Sequence, residues 1–169
     1  MEATKVYENF PARIVLASNL VSLIIYGTGL FLMLQAGLIF SILFLTYILV
    51  LEYRLLGSHC INCYYYGKTC GFGKGRISSW FFKKGDNSKF CAKAFTWKDM
   101  IPDLLVTLIP LIVGIILLTI KFDILVLSAL VLLLLFTTLG NSFIRGSLTC
   151  KYCKQGELGC LALELFKKK

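Results

Sequence analysis

The fold class predicted for this chain is an all-α membrane protein: four transmembrane helices in two tandem helical hairpins under a cysteine-rich cytoplasmic metal-binding cap. Three observations predict it. Of 169 residues, 57% are apolar and only 16% charged, well outside soluble-domain usage. The few charges leave long uncharged gaps. One cysteine cassette also occurs twice, as Cys60-x2-Cys63-x6-Cys70 and Cys150-x2-Cys153-x6-Cys160, at an offset of 90 residues.

The gaps define the helices in order. Nothing charged lies between Arg13 and Glu52, a stretch of 38 residues from Ile14 to Leu51. A helix rises about 1.5 Å per residue and one span needs about 20 residues, so this stretch holds two spans. The turn between them is expected at Gln35-Ala36-Gly37. Leu104 to Ile120, bounded by Asp103 and Lys121, is the third span, extended at its start by Met100, Ile101 and Pro102. Ile124 to Ile144, between Asp123 and Arg145, is the fourth. Asp99 and Asp103 suit the positive end of the third helix's dipole. The start, Met1-Glu2, lacks a basic n-region, and no small-residue cleavage site closes the first span. That span is therefore expected to be an anchor and not a removable signal.

The net charge of +9 is explained by topology. Of 18 Lys and Arg, 17 fall in the amino-terminal tail, the central loop or the carboxyl tail, and only Lys121 lies in a hairpin tip. An even number of spans puts those three basic segments on one side, which the positive-inside rule makes cytoplasmic. A multi-pass protein of the cell membrane is expected, with both termini and the cysteine-rich loops in the cytoplasm. The basic charge then attracts anionic lipid headgroups, and no nucleic-acid partner is implied.

The repeat reaches beyond the cysteines. Pro11 and Pro102 precede the first and third spans, and Gly57-Ser58 and Gly146-Ser147 follow the second and fourth. Pro suits a helix start, and Gly after a span suits a helix C-cap. Four regions follow: a first hairpin (1–57), a cysteine-rich loop (58–101), a second hairpin (102–145) and a cysteine-rich tail (146–169). Two spans per half give both halves the same orientation, so a parallel repeat is expected, with its pseudo-two-fold axis along the membrane normal. Within the loop, Gly71, Gly73 and Gly75 read as a turn around a metal site; the Walker spacing of a phosphate loop is absent. Trp80-Phe81-Phe82-Lys83-Lys84 and Phe95-Thr96-Trp97-Lys98 pair aromatics with lysines, as in loops at a membrane interface. Leu158, Leu161, Ala162, Leu165 and Phe166 follow the spacing of an amphipathic helix.

Cys-x2-Cys turns two thiolates toward one point, the usual grip on a tetrahedral metal. Seven cysteines and one histidine all lie outside the spans, enough for two four-ligand sites. The simplest partition gives Cys60, Cys63, Cys70 and Cys91 to one. Cys150, Cys153 and Cys160 form the other, completed by His59 or a non-cysteine ligand; Cys91 completing the second site instead stays open. The doubled spacing resembles the fungal binuclear zinc-cluster pattern, in which six cysteines hold two zinc ions. The resemblance is confined to the two cassettes, which 79 residues and two spans separate here. It implies that six thiolates share two metals and implies nothing about DNA.

Zinc in two sites is the expected cofactor, given reducing cytoplasm and paired knuckles. Iron–sulfur clusters, also held by four cysteines each, are the alternative. The expected function is an integral membrane metal-binding protein that assembles with another membrane or cytoplasmic protein; association with a second copy is open. An iron–sulfur electron-transfer subunit of a membrane redox complex is the second reading. A thiol–disulfide membrane oxidoreductase is the third, although such enzymes place their cysteines on the oxidising side. No Ser/His/Asp set or convergent carboxylate pair supports hydrolysis or group transfer, so any activity is expected to be redox. The spans lack the mid-membrane acid or base of a proton or ion pathway.

Overall fold

The computed structural model describes residues 6–87, 90, 97–158 and 160, with only the backbone for 97–100. Four helices are long and apolar enough to cross a membrane: Ala12–Ala36, Leu38–Asn62, Ile101–Ile120 and Ile124–Tyr152. Among the described residues there is no β-strand, only an isolated parallel bridge between Tyr7 and Cys153. An all-helical multi-pass membrane protein is the architecture, and its many exposed leucines, isoleucines and phenylalanines suit contact with lipid.

The predicted turns fall where the charges and glycine put them. Helix α1 (Ala12–Ala36) and helix α2 (Leu38–Ser58) are separated by Gly37 alone, at φ +140. Helix α3 (Lys74–Phe81) lies in the central loop. Helix α4 (Trp97–Ile120) is followed by Lys121, Phe122 and Asp123, and helix α5 begins at Ile124 and runs to Leu135. Asp123 caps α5, its carboxylate accepting from the Leu125 amide at 2.8 Å.

Several details differ from the sequence reading. Gly57 is not a C-cap: α2 runs through it to Ser58 and leads into a 3-10 turn at Cys60–Asn62. What Gly57 provides is room, since a β-carbon there would stand 3.0 Å from the Phe82 ring. The fourth span likewise continues past Gly146. It passes through a π-turn (Phe136–Gly140), a short helix α6 (Asn141–Phe143), a second π-turn (Ile144–Thr149) and a 3-10 turn at Cys150–Tyr152. Pro102 is not the first residue of α4 but its sixth, and Pro110 lies inside the same helix, where it adds no amide to the ladder. Glu52, outside the second span by charge, is within α2 and accepts a 2.7 Å hydrogen bond from the Tyr26 hydroxyl. It stands fourteen residues beyond Leu38, about 21 Å along the helix.

The chain divides into two compact units. One comprises Leu20–Glu52 and Trp97–Asn141 and is built by helix packing. Ile25 and Leu32 of α1 pack with Val126, Ala129, Leu130 and Leu133 of α5, while Met33, Phe44, Ile48 and Val106 form a second cluster. Small residues permit close approach, as in other membrane interfaces. At Gly114 of α4 an added β-carbon would stand 2.7 Å from Leu130. The other unit gathers Met1–Asn19, Tyr53–Thr96 and Ser142–Lys169, the three basic segments of the sequence.

Two glycines separate packing from propensity. Gly114→Ala is expected to destabilise the protein by about 1–3 kcal/mol, because buried Leu130 must move. Gly27, with nothing within 4 Å of its β-position, is expected to gain stability on change to Ala, by about 0.5–1 kcal/mol. Unfolding in mixed detergent micelles compares the two.

Candidate functional site

Both cysteine cassettes belong to the second unit, and both begin with the same turn. The Cys63 amide donates to the Cys60 carbonyl at 3.3 Å, and the Cys153 amide to the Cys150 carbonyl at 3.2 Å. A second turn follows each: Tyr66 N to Cys63 O and Gly156 N to Cys153 O, both 3.0 Å. Cys63 (φ −81, ψ 149) and Cys153 (φ −85, ψ 120) are both extended, which swings the chain out of the 3-10 turn.

The cassettes also bond to each other reciprocally. The Tyr64 amide donates to Gln155 Oε1 at 2.7 Å, and the Lys154 amide donates to the Tyr65 hydroxyl at 3.0 Å. In each case the residue after a cassette's second cysteine meets the side chain two residues after the other's. The partners Tyr64 and Lys154, and Tyr65 and Gln155, are each 90 apart, the offset of the cysteines themselves. Tyr65, only 1% exposed, also donates to the Tyr7 carbonyl at 2.6 Å. Phe10, Ile14 and Tyr65 form a buried cluster against which Cys63, Cys70 and Cys153 pack. At its edge, exposed Glu8 accepts from Lys154 Nζ at 3.2 Å and lies 3.9 Å from Lys68 Nζ. The Lys154 hydrogen bond, then the charge of Lys68, holds the Glu8 carboxyl below its usual range.

Backbone amides lie near the thiols. Gly75 N–H donates to Cys70 Sγ at 3.4 Å, and the amides of Tyr65 near Cys63 and of Gln155 and Gly156 near Cys153 act to lower those thiols' pKa values. Such bonds favour the thiolate. Burial outweighs them and pushes Cys63 and Cys153 each up to about 11, and neighbouring thiols add to the rise: Cys153, Cys70 and Cys160 act on Cys63, and Cys150 and Cys160 on Cys153.

The glycine run has a steric role. A β-carbon at Gly75 would strike the Tyr65 carbonyl, and one at Gly71 would meet Thr149 Cγ2 at 2.6 Å. Gly71 therefore brings the first cassette's loop against the residue that precedes Cys150. Gly73 takes φ +72 at the start of α3.

Of the predicted ligands, Cys60, Cys63, Cys70, Cys150, Cys153 and Cys160 are brought into one unit, half-buried and outside any disulfide. His59 leads into the first 3-10 turn and accepts from the Asn62 amide through its backbone carbonyl at 3.2 Å. Cys91 lies outside the described residues, as does the predicted amphipathic helix beyond Cys160. Among the described residues no three Cys, His, Asp or Glu stand together as a group able to hold a metal ion. Tyr65, Gln155, Tyr7 and Glu8 escaped the sequence reading. Extending the 90-residue offset two positions past each Cys-x2-Cys would have flagged the first two.

Neither a protein-family model, nor a curated protein, nor a solved structure matches this chain.

Tyr65→Phe deletes a hydroxyl that serves two backbone groups and leaves the Lys154 amide unpaired, so a loss of about 1–3 kcal/mol in stability is expected. The thiols have a pH signature too. In the presence of a chelator, alkylation of Cys63 and Cys153 is expected to climb with pH toward about 11, because only the thiolate reacts. Mass spectrometry of the alkylated peptides reads both positions.

Proposed function

We propose that this chain is a membrane-anchored metal-binding module, zinc being the metal, in which two duplicated cysteine cassettes form a cap that joins the hairpins and carries a partner protein. The observation that carries this reading is the matched pair of Cys-x2-Cys turns, bonded reciprocally through Tyr64, Tyr65, Lys154 and Gln155. That match at the repeat offset supports a tandem duplication. A 3-10 turn followed by an extended cysteine, with backbone amides nearby that favour the thiolate, is chemistry suited to a soft, thiolate-bound cation. In this reading the cassette cysteines would hold zinc as thiolates, and the bound cation would offset the burial that raises the Cys63 and Cys153 pKa values. Cys60, Cys63 and Cys70 serve one site and Cys150, Cys153 and Cys160 the other, with Cys91 and His59 as the remaining donors. The gathering of the basic segments into one unit supports a cytoplasmic placement for the cap.

An iron–sulfur electron-transfer subunit is the second reading. It draws on the Gly75 N–H···Cys70 Sγ bond, and on the aromatic row of Tyr7, Phe10, Tyr65 and Tyr152 beside the thiols. A thiol–disulfide relay is disfavoured, since such enzymes place their cysteines on the oxidising side whereas these belong with the basic segments.

Protein purified without chelator is expected to be colourless and to hold about two zinc ions per chain, one for each four-ligand set. Cys153→Ser is expected to lower bound zinc and expose the 64–101 segment to protease, because structural metal binding is coupled to folding. Brown protein with iron and acid-labile sulfide overturns the zinc assignment in favour of the electron-transfer reading. Unchanged metal content and protease protection in Cys153→Ser overturns the proposal.

A further inference from the structure

We propose that the outer face of α3 is a binding surface for anionic lipid headgroups, which holds the cassette-bearing unit on the bilayer. The inner face of this helix is fixed. Ser78 Oγ donates to the Leu56 carbonyl of α2 at 2.9 Å, and Gly75 sits against the Tyr65 carbonyl. Just beyond the helix, the Phe82 carbonyl accepts from the Tyr66 hydroxyl at 2.6 Å, and the Phe82 ring packs on Gly57. These contacts leave Ile77, Trp80 (71% exposed) and Phe81 (70% exposed) facing outward. Arg76, Lys83 and Lys84 are exposed beside them, and no acidic residue occurs from Lys74 to Lys84.

Two features select lipid as the occupant. First, the patch is continuous with a membrane span: exposed Tyr53 of α2 lies 5.1 Å from Phe82, ring to ring. Second, its charge is one-sided. A short helix with tryptophan and phenylalanine on one face and arginine and lysine alongside matches the boundary between acyl chains and headgroups. There the aromatic rings sit at headgroup depth while long basic side chains reach lipid phosphates. Each Lys or Arg near an anionic leaflet adds about 1 kcal/mol. The surface does not depend on the metal reading, because none of its residues is a proposed ligand.

The test uses the full-length protein carrying Trp97→Phe, so that Trp80 is the sole tryptophan, reconstituted in phosphatidylcholine vesicles with and without phosphatidylglycerol. Trp80 emission is expected to be blue-shifted, quenched by lipids brominated near the headgroup and protected from aqueous acrylamide. Replacing Arg76, Lys83 and Lys84 by Glu is expected to lower the preference for brominated phosphatidylglycerol over brominated phosphatidylcholine, by up to about fivefold per residue. If Trp97→Phe does not fold, the difference between wild type and Trp80→Phe gives the same readout. Red-shifted, acrylamide-accessible Trp80 with no lipid quenching overturns the proposal and assigns the face to a protein partner. Quenching that is equal in both vesicle types and unaffected by the Glu replacements also overturns it, since the contact is then apolar only.

Discussion

Tyr65 is the junction on which the cysteine-bearing unit depends. Its ring is buried against Phe10, 5.6 Å between centroids, and its hydroxyl serves two backbone groups from distant segments, Tyr7 O and Lys154 N. A buried hydroxyl without partners is costly, so this geometry ties the amino-terminal segment, the central loop and the segment after the fourth span to one another. The Tyr64–Gln155 bond makes the tie reciprocal. Gly75 matters because it lets α3 approach the Tyr65 carbonyl, and Gly71 because it admits Thr149 beside the first cassette.

The extension of the helices into the cassettes gives this junction its mechanical sense. Each cassette opens in a 3-10 turn at the end of an apolar helix. Backbone groups at helix ends need partners. Here the turns supply them, and the Asn62 side chain adds a bond to the Ser58 carbonyl at 2.9 Å. Cysteines presented this way are set by helix ends and not by free loops, which favours a defined arrangement of thiols. The cysteines are half-buried and outside any disulfide, and Cys63 lies within electrostatic reach of Cys70, Cys153 and Cys160.

The membrane helices were legible because lipid imposes a simple rule: long uncharged runs, bounded by charges and broken at turn residues. Gly37 and Asp123 fell where that rule placed them. Glu52 did not, since a carboxylate bonded to Tyr26 can lie within a helix that charge counting ends earlier. Gly57 and Gly146 misled because the helices run through both, and at Gly57 glycine serves close packing and not capping. The π-turns after Leu135 have no sequence signature in this reading, and Pro110 was overlooked inside an apolar run. At the candidate site the cysteines were visible through their spacing. The cross-bonds were not, because Tyr65 and Gln155 are chemically unlike and only their shared register connects them.

The central claim is that the two cassettes bind metal through sulfur, and X-ray absorption at the zinc edge addresses it most directly. The account predicts a first shell dominated by sulfur at about 2.3 Å, with that sulfur count falling when Cys63 or Cys153 is replaced by serine. A first shell of oxygen and nitrogen alone, unchanged in both variants, would contradict it.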